Sequence, residues 1–370
     1  MIITEEIKQL SEILEILCID LEISRSQYED AKQKYEAVGA WLNAEDSELS
    51  KSKPEIYSQG SFSLGTTVKP LGQEEFDIDL VCELHNSGDE NQSSTKMMIG
   101  NRLSSHETYK KMLEEKNRCW RLNYAGNFHM DILPAIPNRI KCTSCILVPD
   151  KRLREWKDSN PKGYAEWFEN RMLEIKKVIL KELKDVEDLP DYGPDIKTPL
   201  QRSVQLLKRN RDFVFRDEDE NAPISIVITT LAAKAYRNEA NLYNALLNII
   251  DGMPSQVDHI SGFPAVINPT NSDENFTEKW TTDPEKFDYF NEWLMKLREN
   301  LNKILEKRGL NEIGEALGPI FGEDYSKKTI GKYAEKLTEL RRKGKLKSGI
   351  GTGILGSTGK AIKKSTFYGT

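Results

Sequence analysis

The sequence is poor in cysteine and histidine and has no long apolar run. It contains five cysteines and four histidines in 370 residues. An odd number of cysteines without a secretory signal predicts reduced thiols, and no segment is apolar enough to span a membrane. His85, His106 and His259 lack the spacing to a Ser or Cys nucleophile that is typical of a hydrolase. We therefore expect a cytoplasmic protein with no membrane partner.

One cysteine pair has the spacing of metal ligands. Cys142 and Cys145 form a Cys-x-x-Cys motif, but a structural zinc site needs four ligands. Cys119 and His129 are the candidate partners, and the sequence has no second Cys-x-x-Cys. Buried thiols are therefore the favoured interpretation, with zinc as the alternative.

Negative charge outweighs positive charge outside the C-terminal end of the chain. The formal net charge is −6, although the last thirty residues contain eight Lys or Arg and no acidic residue. Proteins that track duplex nucleic acid normally have a net basic surface. A basic run from Arg102 to Arg121 is offset by Glu107, Glu114 and Glu115. The acidic body therefore argues against a requirement for duplex nucleic acid.

The apolar pattern predicts an α+β protein with two lobes. Helical periodicity from Ile7 to Leu21 and from Tyr28 to Leu42 predicts an N-terminal helical brace over residues 1–45. Residues 46–198 mix strand and helix signals and form the first lobe; residues 199–345 are almost entirely helical and form the second. With seven Gly in the last thirty residues, 346–370 should be a flexible basic tail.

Finer boundaries follow from the same patterns. A hairpin is predicted with strands at 119–124 and 128–132 and a turn at Ala125, Gly126 and Asn127. The predicted helices are 95–115, 162–184, 199–213, 223–250, 283–307 and 326–343.

The strongest signal is a set of three aspartates behind a Gly-Ser pair. Asp77 and Asp79 lie in the apolar segment 76–81, which reads as a strand, so both should point to one face. Paired carboxylates need cations, and Asp131 in a second predicted strand would complete a site for two Mg²⁺ or Mn²⁺ ions. The Gly60-Ser61 pair suits phosphates, because Gly allows close backbone approach and Ser adds a hydroxyl donor.

This combination resembles the nucleotidyltransferase superfamily that includes DNA polymerase beta and cyclic GMP-AMP synthase. Within it, the sequence is most similar to the bacterial cGAS/DncV-like nucleotidyltransferases, or CD-NTases, of anti-phage CBASS systems. Segments 200–212, 224–231 and 268–276 support the resemblance, which covers residues 50–340. It implies a polymerase-beta-like catalytic lobe with a mixed sheet, an oligoadenylate-synthase-like helical lobe, and a brace that spans both. The segment 268–276 reads as architectural, since its Asn side chains favour turns.

The resemblance also implies roles for individual residues. Asp77, Asp79 and Asp131 would be the catalytic metal ligands. The nucleotide-binding residues would be Gln59, Gly60, Ser61, Lys208 and Ser225. From the sequence alone, Lys208 lies on the basic edge of an amphipathic helix, and Ser225 follows Pro223 where a helix can begin.

The C-terminal residues Ser365 to Thr370 resemble the tails of CD-NTases from operons that encode E1/E2-type conjugation proteins. In those proteins a terminal glycine-type carboxyl end is joined to a target, whereas this sequence ends on Thr370 after Gly369. A conjugation partner, a processed end and no conjugation at all remain open at this point.

The leading hypothesis is a metal-dependent enzyme that makes a cyclic di- or trinucleotide from nucleoside triphosphates, ATP among them, with release of pyrophosphate. Cyclisation and a role in anti-phage defence are implied by the resemblance alone. The alternatives are template-independent linear nucleotide addition to RNA or a small molecule, and an idle scaffold that acts through its tail.

Overall fold

The chain folds into a sheet lobe and a helical lobe that are joined by two N-terminal helices. The computed structural model describes residues 3–72, 75–86, 91–126, 128–152, 154–184, 197–357 and 359–362. Within these ranges no helix is long and apolar enough to cross a membrane.

A seven-stranded sheet forms the first lobe. Its strands are β1 Pro54–Gln59, β2 Phe76–Leu84, β3 Leu113–Glu115, β4 Trp120–Tyr124, β5 Phe128–Pro137, β6 Ile146–Asp150 and β7 Glu155–Ser159. The strand order is β1-β2-β5-β4-β3, and β6 pairs with both β5 and β7. The central pair β2 and β5 is parallel, whereas the other pairs are antiparallel. The mixed sheet agrees with the predicted fold class.

Alternation along β2 assigns its side chains to two faces. Phe76, Ile78 and Leu80 are buried, whereas Asp77 is exposed and Asp79 is half-buried. Successive side chains of a strand point to opposite faces of the sheet. The apolar face packs against two helices, Arg25–Leu42 and Gln92–Ser104, in one hydrophobic cluster. The opposite face is therefore left to the aspartates.

Fourteen α-helices occur in the described part of the chain. They are α1 Glu5–Leu21, α2 Arg25–Leu42, α3 Gly60–Ser63, α4 Gln92–Ser104, α5 Glu107–Met112, α6 Pro161–Asn170, α7 Leu173–Lys184, α8 Pro199–Val214, α9 Ser225–Ala235, α10 Leu242–Gly252, α11 Glu278–Thr282, α12 Glu285–Leu305, α13 Leu310–Phe321 and α14 Glu323–Arg342. Short 3-10 helices span Glu48–Ser52, Asp219–Asn221 and Met253–Gln256. Helices from α8 onward build the second lobe.

The two N-terminal helices belong to different hydrophobic cores. The apolar face of α1 is buried with α8, α9, α10 and α14 in the core of the helical lobe. In contrast, Ala31, Val38 and Leu42 of α2 are buried against the sheet. Between them, Ser24 and Gln27 form a capping box that starts α2. The two N-terminal helices thus pack one against each lobe.

Several predicted helices are interrupted by polar caps. The helix expected at 95–115 breaks at His106, whose Nδ1 accepts a hydrogen bond from the backbone N–H of Tyr109 at 3.4 Å. The one expected at 223–250 ends at Ala235, since Asn238 has φ +63° and Asn241 caps α10. The one expected at 162–184 divides into α6 and α7. Helix α13 was not predicted, because two glycines and Pro319 weaken its signal.

Short strands account for the remaining regular structure. These are β8 Asp258–Ile260, β9 Phe263–Ala265, β10 Ile267–Asn268, β11 Asn271–Asn275, β12 Lys347–Ser348, β13 Leu355–Gly356 and β14 Lys360–Ala361. In the segment 268–276, Asn268 Oδ1 accepts from the N–H of Thr270 and Asn275 Oδ1 from that of Thr277, both at 2.9 Å. The architectural role predicted for this segment is therefore confirmed.

The predicted tail region contains short strands. Strand β12 pairs with both β13 and β14 in a three-stranded sheet. Leu346 is buried at the root of this sheet in the core of the helical lobe. The motif from Ser365 to Thr370, like the hairpin residue Asn127, lies outside the described residues.

The expectation that all five cysteines are reduced is wrong. Cys142 and Cys145 form a disulfide with a Cα–Cα distance of 5.1 Å. A turn brings them together, since Asn138 N–H donates to the carbonyl of Cys145 at 2.7 Å and closes the intervening loop. Both sulfurs are thereby unavailable to zinc. Cys18 and Cys82 are buried free thiols, and Cys119 is half-buried.

Candidate active site

Strand pairing brings the three aspartates together. Asp79 of β2 lies directly beside Asp131 of the parallel strand β5, and Asp77 is two residues earlier on the same face. All three line a cavity of about 700 Å³ between the sheet lobe and the helical lobe. The pairing of Asp77, Asp79 and Asp131 that their spacing predicts is therefore present in the structure.

The Gly-Ser pair lies against the aspartates. Strand β1 ends at Gln59, which pairs with Asp79, and α3 begins at Gly60. Gly60 has φ +65°, and an added Cβ would lie 3.2 Å from Cγ of Asp79 and closer still to its Oδ2. Only glycine fits both the backbone conformation and the close approach.

The predicted nucleotide-binding residues are distributed around the same cavity. Gly60, Ser61, Lys208 and Ser225 are part of its lining. Ser61 Oγ is 3.3 Å from Thr67 Oγ1. Gln59, the last residue of β1, is not among the lining residues.

The site has an excess of buried negative charge around Asp79. Burial, together with the neighbouring carboxylates of Asp131 and Asp77, raises the pKa of the Asp79 carboxyl to about 7. Asp77 is more exposed, and partial desolvation within the cavity raises its pKa against the opposing effect of Arg121. A cation near these oxygens would reverse both effects. The three side chains offer carboxylate oxygens, which are donors that suit Mg²⁺ and Mn²⁺, so the residues present fit a divalent metal site.

Arg121 is a site residue that the sequence did not single out. It lies on β4 directly opposite Asp131 in the antiparallel pair. Its Nε is 2.7 Å from Asp131 Oδ1 and its Nη2 is 2.7 Å from Asp131 Oδ2, and Nη2 is also 3.3 Å from Asp77 Oδ1. In the sequence it was only one member of a basic run, and strand register is the signal that identifies it.

Lys208 is a buried cation on α8. Its Nζ donates to the carbonyl oxygen of Thr66 at 3.2 Å and to Thr66 Oγ1 at 3.1 Å. Burial, together with the nearby Arg211, lowers the pKa of Lys208 to about 7. An anion bound in the cavity beside Lys208 would favour its positively charged form.

The Lys208 pKa predicts a pH-dependent stability difference. The folded-state pKa is depressed, so the unfolded chain holds one more proton between about pH 7 and pH 10. Wild-type stability should therefore rise with pH in this window relative to Lys208→Met, by at most about 1.4 kcal/mol per pH unit. Thermal unfolding of both proteins at pH 7, 8 and 9 measures the difference. A gap that stays constant with pH would contradict the depressed pKa.

Ser225 is held by a neighbouring arginine. Arg211 Nη2 donates to Ser225 Oγ at 3.1 Å, and Nη1 donates to the carbonyl of Pro223 at 2.9 Å. Arg211 also lines the cavity and pairs with Asp212 at 2.5 Å. Arg211 thus links the end of α8 to the start of α9 and fixes the position of the serine hydroxyl.

A second acidic group lies at the other end of β1 and β2. Glu55, Glu83 and His85 form the one set of three metal-ligand side chains within 4.8 Å of one another in the described residues. Lys162 Nζ lies 2.7 Å from Glu55 and 4.1 Å from the centre of the Tyr57 ring. An ammonium group already supplies the cation there, so the cluster is an ion-pair network.

Residues 9–171 match the family model of the Second Messenger Oligonucleotide or Dinucleotide Synthetase domain. A c-di-GMP synthase of Roseivirga ehrenbergii is 32% identical over 387 aligned positions, covering 100% of both chains. Cyclic dinucleotide synthase CdnG of Bradyrhizobium diazoefficiens is 24% identical over 73% of this chain and 70% of its own length. The structure of the CD-NTase CdnG from that organism, in complex with GTP, superposes with a TM-score of 0.70 at 21% identity, covering 88% of this chain and 99% of CdnG.

The fold is that of a polymerase-beta-like nucleotidyltransferase. The full-length match to the Roseivirga synthase shows in addition that the chain belongs to the CD-NTase family of CBASS type. It is accordingly a nucleotidyltransferase that makes a cyclic oligonucleotide second messenger from nucleoside triphosphates, which agrees with the leading hypothesis from the sequence.

Proposed function

We propose that this enzyme joins two molecules of GTP into a cyclic dinucleotide at the cavity lined by Asp77, Asp79 and Asp131. Each joining step forms a bond between a ribose hydroxyl and an α-phosphate and releases pyrophosphate. The observation that carries the proposal is the placement of three carboxylates on the adjacent strands β2 and β5, beside a position where only glycine fits.

Asp77 and Asp79 would hold two Mg²⁺ or Mn²⁺ ions jointly, and Asp131 the ion nearer the nucleophile. The ions would lower the pKa of the attacking hydroxyl and stabilise the charge that develops on the phosphates. The all-oxygen donor set and the raised pKa of Asp79 support this assignment. The protein's own contribution is to hold the carboxylates on two paired strands, whose backbone positions are fixed by the sheet.

The triphosphate would lie between the two lobes. Ser61 and the backbone N–H groups after Gly60 would donate to it from the sheet lobe, and Lys208 and Ser225 from the helical lobe. Protonated Lys208 would bind phosphate as a point charge, while Arg211 keeps the Ser225 hydroxyl in place. Gln59, which precedes Gly60, would contribute through its position at the end of β1.

Guanine is the proposed base. The full-length relative is a c-di-GMP synthase, and CdnG is described in complex with GTP. A cavity of about 700 Å³ is of the size that ligand sites usually have. These observations favour GTP over the ATP expected from the sequence, and ATP is the substrate to compare with it.

The proposal is tested by incubating the purified full-length chain with each nucleoside triphosphate and with pairs of them, in Mg²⁺ or Mn²⁺. Phosphatase-resistant products are then identified by mass spectrometry. GTP alone should give cyclic di-GMP. A mixed cyclic product that forms only when ATP is present would mean that the enzyme does not use GTP alone. A linear, phosphatase-sensitive product would favour the alternative of linear addition.

We further propose that the product acts in anti-phage defence and that an E1/E2-type protein conjugates the C-terminal tail. Both rest on the family and on the resemblance of residues 365–370 to conjugated tails. Coexpression of the chain with the conjugation proteins of its own operon, followed by mass spectrometry of its C-terminal peptide, tests the second point. A peptide with no added mass would exclude conjugation under those conditions.

A further inference from the structure

The guanidinium of Arg121 covers both oxygens of Asp131. The two contacts to Asp131 are each 2.7 Å and form a bidentate fork, and the same group reaches Asp77 at 3.3 Å. Bidentate pairs between arginine and a carboxylate are among the stronger hydrogen-bonded ion pairs in proteins. Arg121 therefore supplies positive charge at two of the three carboxylates.

The three carboxylates do not converge on a common point. No choice of one oxygen from each of Asp77, Asp79 and Asp131 brings all three within 4.8 Å of one another; among the described residues only the Glu55 cluster meets that distance. Oxygens that bind one Mg²⁺ or Mn²⁺ ion lie about 2.0–2.2 Å from it, and hence about 3 Å from one another. A shared ion therefore requires a rearrangement of these side chains.

Resting on the metal site proposed above, we propose that Arg121 is a displaceable internal cation: its guanidinium occupies Asp131 until a divalent ion binds there, and then leaves. It is a positioning residue, since it acts through Asp131 and Asp77. In its bound position it stabilises carboxylates that would otherwise repel one another across β2 and β5. The exchange sets the metal concentration at which the site fills.

The surroundings of Arg121 allow such an exchange. Its side chain is 23% exposed, so that the guanidinium has access to solvent when it is released. Its backbone is fixed by the β4–β5 pairing, and only side-chain torsions need to change. Asp79 is hydrogen-bonded to no arginine in the described structure, which leaves it as the carboxylate at which a first ion can bind without displacing a cation.

Metal affinity tests the inference without any catalytic readout. The electron paramagnetic resonance signal of free Mn²⁺ measures Mn²⁺ binding to the full-length wild type, Arg121→Gln and Arg121→Lys. Thermal unfolding of each protein is recorded in the presence and absence of Mn²⁺. Removing the competing fork should tighten Mn²⁺ binding about tenfold, the equivalent of one pKa unit of ion-pair strength. The Mn²⁺-induced rise in Tm should grow accordingly. Lys, which cannot make the fork, should give an intermediate affinity.

Arg118→Gln is the matched control. Arg118 lies three residues earlier, between β3 and β4, pairs with Asp150 at 2.9 Å and does not line the cavity. Its Mn²⁺ affinity should equal that of the wild type. If Arg121→Gln bound Mn²⁺ no more tightly than the wild type, the exchange would be overturned, and Arg121 would be a permanent ion-pair partner of Asp131.

Two further measurements keep the inference separate from folding and from the proposed metal site. In wild type labelled with ¹⁵N-arginine, the Nε–H signal that is lost in Arg121→Lys should change on saturation with Mg²⁺; an unchanged signal would overturn the exchange even if the Gln variant does not fold. Asp77→Asn combined with Asp79→Asn should abolish the tight Mn²⁺ site. If the double variant still binds Mn²⁺ tightly, the proposed metal site is wrong, and so is the exchange of Arg121 for the metal. If the double variant loses binding while Arg121→Gln keeps wild-type affinity, only the proposed exchange is wrong.

Discussion

Asp79→Asn should reduce formation of the cyclic product by about 10³-fold, with no loss of thermal stability. The amide keeps the shape of the side chain but removes the charge that would hold both metal ions, and losses of this order follow when a transition-state charge is left unstabilised. Stability should hold or increase, because burial and the carboxylates of Asp131 and Asp77 disfavour the ionised form of Asp79. Product yield from GTP and Tm at pH 8 measure the two effects.

Asp251→Asn is the matched control for this substitution. Asp251 is half-exposed at the end of α10 and pairs with Arg298 at 2.7 Å, outside the cavity. Its variant should keep wild-type product formation. If Asp79→Asn retained activity within tenfold of the wild type, the proposed metal role of Asp79 would be wrong. If instead the Tm fell sharply, the loss of activity would report misfolding.

The sequence specifies the pairing of the aspartates because that pairing rests on short-range rules. The i, i+2 spacing of Asp77 and Asp79 in an apolar strand determines their common face. The periodicity of residues 7–42 similarly predicts both helices of the brace. The metal and nucleotide roles of these residues are proposals, since they depend on contacts with ligands and not only on contacts within the chain.

What the sequence did not specify depends on register and on distant contacts. Arg121 faces Asp131 only because β4 pairs antiparallel with β5 in one particular register. Lys208 finds its partner Thr66 142 residues earlier in the chain. The Cys142–Cys145 disulfide depends on the turn that closes at Asn138. The odd number of cysteines and the expected cytoplasmic location had favoured free thiols. Local propensity contains none of this information.

The opposite pKa shifts of Asp79 and Lys208 share one cause. Burial raises the pKa of the acid to about 7 and lowers that of the base to about 7, and each of these groups favours the charged form of the other. Both groups are thus only partly ionised near neutral pH until a ligand of opposite charge arrives. A metal ion would ionise Asp79 and a triphosphate would protonate Lys208, so that the pair of ligands should bind with positive coupling.

Gly60→Ala should lower product formation by about 10²-fold and also lower stability. The substitution places a Cβ against the carboxylate of Asp79, within 3.2 Å of its Cγ, and displacement of a reacting group by about 1 Å commonly costs this much in rate. Because Gly60 has φ +65°, an alanine there adds about 1–2 kcal/mol of backbone strain. Steady-state kinetics with GTP and chemical denaturation measure the two losses separately.

Gly72→Ala separates the steric effect from the backbone strain. Gly72 has φ +70°, almost the same conformation, but an added Cβ there meets no atom within 4 Å. This variant should therefore show the same strain in its free energy of unfolding while its rate stays close to that of the wild type. An equal loss of rate in both variants would mean that strain alone inactivates the enzyme, and full activity in Gly60→Ala would mean that Asp79 can move aside without consequence. A large rate loss confined to Gly60→Ala would instead establish that the close approach of the α3 turn to Asp79 is a requirement of the chemistry.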